Sequence, residues 1–233
     1  MTPANGATCD EPAPTCNRDA APMIKVLLCD DHALIRRGIR DTLSDAPDIE
    51  VIGEAGDYGE LRTLMRDRTA DVLVLDINLP GRSGLDVLHV LKDEGSTVRV
   101  LVVSMYPEDQ YAIRALRAGA YGYVNKGGDP QLIVQAVRTV AQGRKYVTPE
   151  IAQMLVESLT APKPENAHEK LSDRELQTLV MIASGKRLSD IAEELMLSPK
   201  TVSVYRARVL EKLGLANNSE LTVYAIRNGL VGN

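Results

Sequence analysis

Phenylalanine and tryptophan are both missing from the 233 residues, and aromatic side chains make up only 3%. Any hydrophobic core must therefore be aliphatic. Cysteine is scarce as well. Cys9, Cys16 and Cys29 are the only three. Their odd number, and the lack of metal-ligand spacing such as C-x₂-C, suit a reducing cytoplasm. No apolar run approaches the ~18 residues that cross a bilayer. No signal peptide is visible. A cytoplasmic protein with no membrane attachment is the expectation. The net charge of −5 by itself neither favours nor excludes nucleic acid. Its distribution is more telling. From His168 onward there are 9 basic and 8 acidic residues, a net of +1, so the acidity lies in the preceding part, at −6.

The length suits one to two ordinary domains. Residues 1–22, with Pro3, Pro12, Pro14 and Pro22 among small and polar residues, read as a disordered leader. From Met23 strand and helix signals alternate. Ile24 to Cys29, Ile49 to Glu54, Val72 to Asp76, Val98 to Val103 and Tyr121 to Val124 read as strands. Helices are expected over Asp31 to Ala46, after Asp57, over Leu85 to Glu94, over Glu108 to Ala118 and from Pro130 to Gln142. Asp129-Pro130 supplies an N-cap followed by proline at the first helical position. This alternation predicts a parallel sheet with helices on both faces, an α/β doubly wound domain over 23–145. A helix from Thr148-Pro149 and a linker rich in proline and charge fill 146–170. Strand signals then stop. Ser172 and Glu175 form a capping box, and 171–233 reads as a small all-α domain.

The carboxyl ends of the strands in such a sheet meet on one rim. Asp30 and Asp31 end the first strand, Asp76 the third and Ser104 the fourth, and Lys126 follows the fifth. Crowded carboxylates repel unless a cation offsets them. Oxygen donors without His or Cys favour a hard ion, and Mg²⁺ fits a phosphoryl-transfer site. A carboxylate can take phosphate as an acyl phosphate, with Lys126 and Ser104 holding phosphoryl oxygens. Cys29 reads as a buried strand hydrophobe. His32 could touch this pocket, though a solvent-facing place at the helix start is the stronger reading, and His89 and His168 show no evident partners.

IKVLLCDDH, VLVLDINLPGRSGLD, VLVVSMY and AYGYVNKG together resemble the receiver domain of bacterial response regulators, over about Met23 to Gln142. The resemblance implies a flavodoxin-like fold and phosphorylation of Asp76 by a sensor histidine kinase. It implies that Asp30 and Asp31 are the acidic pair for Mg²⁺, and that Asp76 and Asn78, through its backbone carbonyl, complete the metal set. Ser104 matches the switch hydroxyl, Tyr123 the aromatic switch and Lys126 the lysine of the site. Met105 stands where receivers usually carry a small residue, which implies restricted access to the phosphoryl group.

In the C-terminal part, two short helices joined by Leu197-Ser198-Pro199 fit a helix-turn-helix, the second running from its N-cap Ser198 to Leu213 with Gly214 as its stop. The span from Lys200 to Lys212 carries Lys200, Arg206, Arg208 and Lys212 against Glu211, a net of +3. Charge alone leaves open a solvated helix in a small bundle. LSDREL, SDIAEEL, SPKTV and EKLGL, however, resemble the four-helix DNA-binding domain of the LuxR/NarL type. That implies double-stranded promoter DNA as a partner and phosphorylation-favoured homodimers. Helical spacing puts Val202, Val209 and Leu213 on the packed stripe, with Leu210 beside it. Ser203, Val204 and Ala207 then face base edges. Lys200, Thr201, Tyr205 and Arg208 face phosphates. Arg206 stands where many relatives carry an aliphatic residue. It falls near the packed stripe, with a stem long enough to reach the backbone. The last helix, over about Ser219 to Asn228 and carrying Val223, Tyr224 and Ile226, is a candidate dimer surface. Two rival readings are weaker. A phosphohydrolase of the haloacid dehalogenase type needs a second acid two residues after Asp76, where Asn78 stands. A receiver with a protein-binding output would bind no DNA.

Overall fold

The computed structural model describes residues 23–106, 108–160 and 167–231. The expected leader, with Cys9 and Cys16, lies outside the described residues. Strands β1 (Ile24–Cys29), β2 (Ile49–Ala55), β3 (Val72–Leu75), β4 (Arg99–Ser104) and β5 (Gly122–Asn125) form one sheet in the order β2-β1-β3-β4-β5. All four pairings are parallel. β3 is buried along its whole length, as a strand covered on both faces must be.

Helices α1 (Ala33–Ser44), α2 (Tyr58–Asp67), α3 (Gly84–Asp93), α4 (Glu108–Ala118) and α5 (Pro130–Ala141) divide between the faces. Side chains alternate along each strand. Val26 and Leu28 therefore join Ile39 and Leu43 of α1 and Ile133, Val134 and Val137 of α5. Leu27, Leu73 and Leu75 join Leu61 of α2, Leu88 of α3 and Ala115 of α4. Each fully buried leucine contributes about 1.5–3 kcal/mol.

α6 (Pro149–Thr160) packs against α4. After a 3-10 turn at Ala167–Lys170 come α7 (Asp173–Ala183), α8 (Leu188–Glu194), α9 (Pro199–Leu213) and α10 (Asn218–Arg227). Ser172 and Glu175 form the expected capping box. Ser198 accepts from the Thr201 amide, and Gly214 ends α9 in the left-handed region at φ 66°, where glycine carries no Cβ penalty. The apolar cluster under α2, α3 and α4 runs on without a break into Leu176, Leu179 and Ile182 of α7.

Several element ends differ from the expectations by one or two residues, and some of the differences have a local cause. α1 begins at Ala33, because Asp30 and Asp31 stay in the loop and extended His32 is the N-cap. α3 begins one residue early, because Ser83 accepts from the Leu85 amide and closes a capping box with Asp86. α10 begins at Asn218, because the Asn217 side chain accepts from the Glu220 amide. The linker also holds the 3-10 turn, which Arg114 of α4 fixes by donating 2.8 Å to the His168 carbonyl.

Candidate functional site

Strand register builds the rim. Cys29 pairs with Leu75, so the next residues, Asp30 and Asp76, leave the sheet side by side. The Asp76 amide continues that ladder, donating 2.8 Å to the Cys29 carbonyl. Ser104 is paired with Asn125, and the Lys126 amide donates 2.9 Å to the Ser104 carbonyl. The Lys126 side chain then turns inward. Its Nζ lies 2.6 Å from Asp30 Oδ2 and 2.7 Å from Asp76 Oδ2, with all three side chains at most 5% exposed.

Glycine makes the approach behind the rim possible. A Cβ at Gly84 would stand 2.1 Å from the Asp76 carbonyl oxygen, so only glycine lets α3 start against the backbone of this aspartate.

Burial pushes the Asp76 carboxyl up to about 6. The Lys126 ammonium opposes this, while the Asp30 charge reinforces it. Burial also raises the Asp31 carboxyl, against the neighbouring His32. These are the marks of carboxylates held close together away from water. Asp30, Asp31, His32 and Asp76 each offer a ligand atom within 4.8 Å of the others. Asn78 Oδ1 is buried without a hydrogen-bond partner. Carboxylates clustered this closely, one of them two residues before an asparagine with an unpartnered buried oxygen, fit a divalent cation. Cys29 is 1% exposed, and burial drives its thiol far up, which leaves it unreactive.

Ser104 is buried, and its Oγ accepts from the Tyr106 amide at 3.3 Å. Tyr123 is buried with its hydroxyl donating 2.7 Å to the Tyr106 carbonyl. Tyr106 stacks on Tyr111 at 4.6 Å between centroids. Met105, the residue after Ser104, is 62% exposed, so its side chain lies in water. His32 is exposed at the start of α1, as expected, yet it also touches the rim. Its Nδ1 lies 2.6 Å from Asp31 Oδ1. His168 likewise has a partner, in the Tyr224 hydroxyl at 3.0 Å, and the half-buried Tyr224 is accordingly turned toward the linker.

On α9, Val202, Val209 and Leu210 are buried, and Leu213 is partly buried. Lys200, Ser203, Val204, Ala207 and Arg208 are exposed. Thr201 and Tyr205 are half-buried, Thr201 beside the capping Ser198. Arg206 is half-buried as well, and its Nε donates 2.5 Å to Asn218 Oδ1. The packed and open stripes of α9 are thus separated as the helical wheel requires.

Two residues escaped the sequence reading. Arg174 of α7, 5% exposed, donates 2.8 Å to the Leu79 carbonyl in the loop after β3. Arg114 of α4 donates to the Leu171 and His168 carbonyls. The Gly81 amide adds a bond to the Leu195 carbonyl at 3.4 Å. Nothing in an exposed-looking arginine on an amphipathic pattern signals a contact with the other half of the chain.

An acidic rim with a bridging lysine on a sheet ordered β2-β1-β3-β4-β5, joined to a helix-turn-helix, defines a signal receiver carrying a DNA-binding module. Family models agree part by part. Residues 26–138 match the response regulator receiver domain, and residues 169–225 match the bacterial regulatory proteins of the luxR family. The chain is 40% identical over 209 residues to the response regulator UvrY of Escherichia coli, covering 89% of this chain and 96% of that one. It is 39% identical over 210 residues to the response regulator GacA of Pseudomonas aeruginosa, covering 90% and 98%. Among solved structures it resembles RcsB from Salmonella enterica serovar Typhimurium bound to promoter rprA in the presence of a phosphomimetic. That match has a TM-score of 0.60 and 26% identity, over 87% of this chain and 98% of that one. A LuxR-family two-component response regulator from Aurantimonas matches at TM-score 0.55 and 34% identity, over 60% and 99%. The chain belongs to the response regulators with a LuxR-type DNA-binding domain, and it is a transcription regulator of that family. No helix among the described residues is long and apolar enough to cross a membrane.

Proposed function

We propose that Asp76 is the phosphoacceptor of a cytoplasmic, promoter-binding response regulator that does not itself turn over a substrate as an enzyme. The observation that carries the reading is the Lys126 ammonium bridging Asp30 and Asp76 at 2.6 and 2.7 Å. The donor is a phosphohistidine on a sensor histidine kinase. An Asp76 carboxylate oxygen bonds to phosphorus as the phosphorus–nitrogen bond breaks. The electron pair leaves with the imidazole, and an acyl phosphate remains. Lys126 and Ser104 hold phosphoryl oxygens. Asp30, Asp31, Asp76 and the Asn78 carbonyl would hold Mg²⁺, which neutralises charge on the transferring group.

The same reading divides the chain into a leader (1–22), the receiver (23–145), a helix and linker (146–170) and the DNA-binding domain (171–233). Phosphorylation alters Ser104 and Tyr123, favours a homodimer and so strengthens binding to paired half-sites. The exposed stripe of Ser203, Val204 and Ala207 reads bases. Lys200, Thr201, Tyr205 and Arg208 contact phosphates, and Arg206, bonded to Asn218 at the start of α10, reaches the DNA backbone with its long stem. In support, a relative in this family was solved as two RcsB dimers bound to two parallel DNAs.

Acetyl phosphate with Mg²⁺, followed by mapping of the modified residue by mass spectrometry, tests the acceptor. Label on Asp76, absent without Mg²⁺ and absent in Asp76→Asn, is the expected result. Full labelling of Asp76→Asn defeats the assignment. Light scattering and DNA binding with and without beryllofluoride test the coupling to dimers.

A further inference from the structure

His32 occupies the N-cap of α1 at φ −83° and ψ 98°, yet its side chain makes no capping hydrogen bond. The imidazole instead lies over the rim. Its Nδ1 is 2.6 Å from Asp31 Oδ1 and 3.8 Å from Asp30 Oδ1. The His32 amide donates 2.9 Å to Asp30 Oδ1, which ties the residue to the pocket through its backbone too. The four groups Asp30, Asp31, His32 and Asp76 converge within 4.8 Å. Opposed ligands of one six-coordinate ion stand about 4.2 Å apart, given bonds of about 2.1 Å. Small side-chain rotations close that difference. A surface ion pair with Asp31 explains the 2.6 Å contact alone. It does not explain why the imidazole also converges with Asp76, which comes from a different strand.

We propose that His32 is a side-chain ligand of the divalent-cation site on this rim, and that its nitrogen shifts the site's preference from Mg²⁺ toward a first-row transition ion such as Mn²⁺. The inference rests on the reading of the rim as a cation site. An all-oxygen set suits hard Mg²⁺, whereas imidazole adds affinity for transition ions and little for Mg²⁺. The ring is 53% exposed, so Nδ1 can exchange Asp31 for a metal without a buried rearrangement. His32 thereby links the choice of ion to the site where Asp76 lies.

The test uses the full chain, stripped with a chelator and titrated with Mn²⁺. Loss of the free-ion electron paramagnetic resonance signal gives the affinity, and pulsed measurements detect ¹⁴N coupling from imidazole. In the wild type, coupled ¹⁴N is expected. In His32→Ala it should vanish, with Mn²⁺ affinity down about tenfold and Mg²⁺ affinity, read by competition, changed less than about twofold. His32→Asn, which offers a capping side chain, should show the same loss and guards against an unfolded helix. Mn²⁺ bound without ¹⁴N coupling, or coupling that survives in both variants, overturns the assignment of His32 while leaving the rim intact. Asp31→Asn separates the two readings. It should weaken both ions, and unchanged binding in that variant overturns the rim as the cation site and the inference with it.

Discussion

Arg174 in α7 donates 2.8 Å to the carbonyl of Leu79, 95 residues earlier in the chain. Its other bond goes to Gln177 Oε1 at 2.9 Å, so both hydrogen-bond partners are neutral. Burial lowers the guanidinium's hold on its proton, the expected cost of an enclosed cation. The contact fastens the DNA-binding part to the loop that carries Asn78.

Arg174→Ala should therefore free that loop. Hydrogen exchange over residues 79–85 should speed up about tenfold, as loss of a charged hydrogen bond worth about 1.5–3 kcal/mol allows. The sheet strands should keep their protection. Unchanged exchange in 79–85 would mean that the bond does not restrain the loop.

Asp76→Asn should stabilise the Mg²⁺-free protein at alkaline pH. The folded carboxyl at about 6 lies above its ordinary value of about 3.9. The fold therefore favours the protonated form. That contribution is complete below about pH 4 and is lost as pH rises through 6. At pH 8 the variant escapes a cost on the order of 1–3 kcal/mol. Urea unfolding at pH 8 and pH 5 should show a gap that shrinks in acid. Added Mg²⁺ should stabilise the wild type more than the variant. A gap that widens in acid would contradict the sign.

Gly84→Ala and Gly38→Ala should move stability in opposite directions. A methyl at Gly84 meets the Asp76 carbonyl at 2.1 Å, so backbone must shift, at about 2–4 kcal/mol. A methyl at Gly38, inside α1, has nothing within 4 Å and should gain about 0.5–1 kcal/mol from lower unfolded-state entropy. Chemical denaturation of the two variants measures both. Gly84→Ala should in addition label poorly with acetyl phosphate, because the clash displaces the acceptor itself.

Arg208→Ala and Ser203→Ala should separate phosphate contact from base reading. Both side chains are exposed on α9. Arg208→Ala should weaken binding to every sequence and reduce the salt slope by about one ion. Ser203→Ala should leave the slope alone and relax preference at one base pair by ~1 kcal/mol. Isotherms at several salt concentrations, on specific and scrambled DNA, read both. The reverse pattern would show that the faces are assigned wrongly.

The sequence by itself determined the local and periodic features. Apolar runs ending in turn residues located all five strands and left Asp30, Asp76 and Ser104 at their carboxyl ends. Ser172, Ser198 and Gly214 marked helix ends, because capping is settled within four residues of chain. The packed stripe of α9 followed from a 3.6-residue repeat. Only the tertiary structure decided what lies between distant segments. The register of Cys29 on Leu75 sets Asp30 beside Asp76, and no residue in either strand encodes its partner. His168 found Tyr224, Arg114 found the linker carbonyls and Arg174 found Leu79 once α7 had buried its apolar side against the receiver's core. Each is a polar bond whose strength depends on burial, and burial is a property of the assembled layers. His32 shows the same limit at close range: its sequence neighbours pointed to water, where half of the ring does lie, and only the folded loop set its Nδ1 beside Asp31.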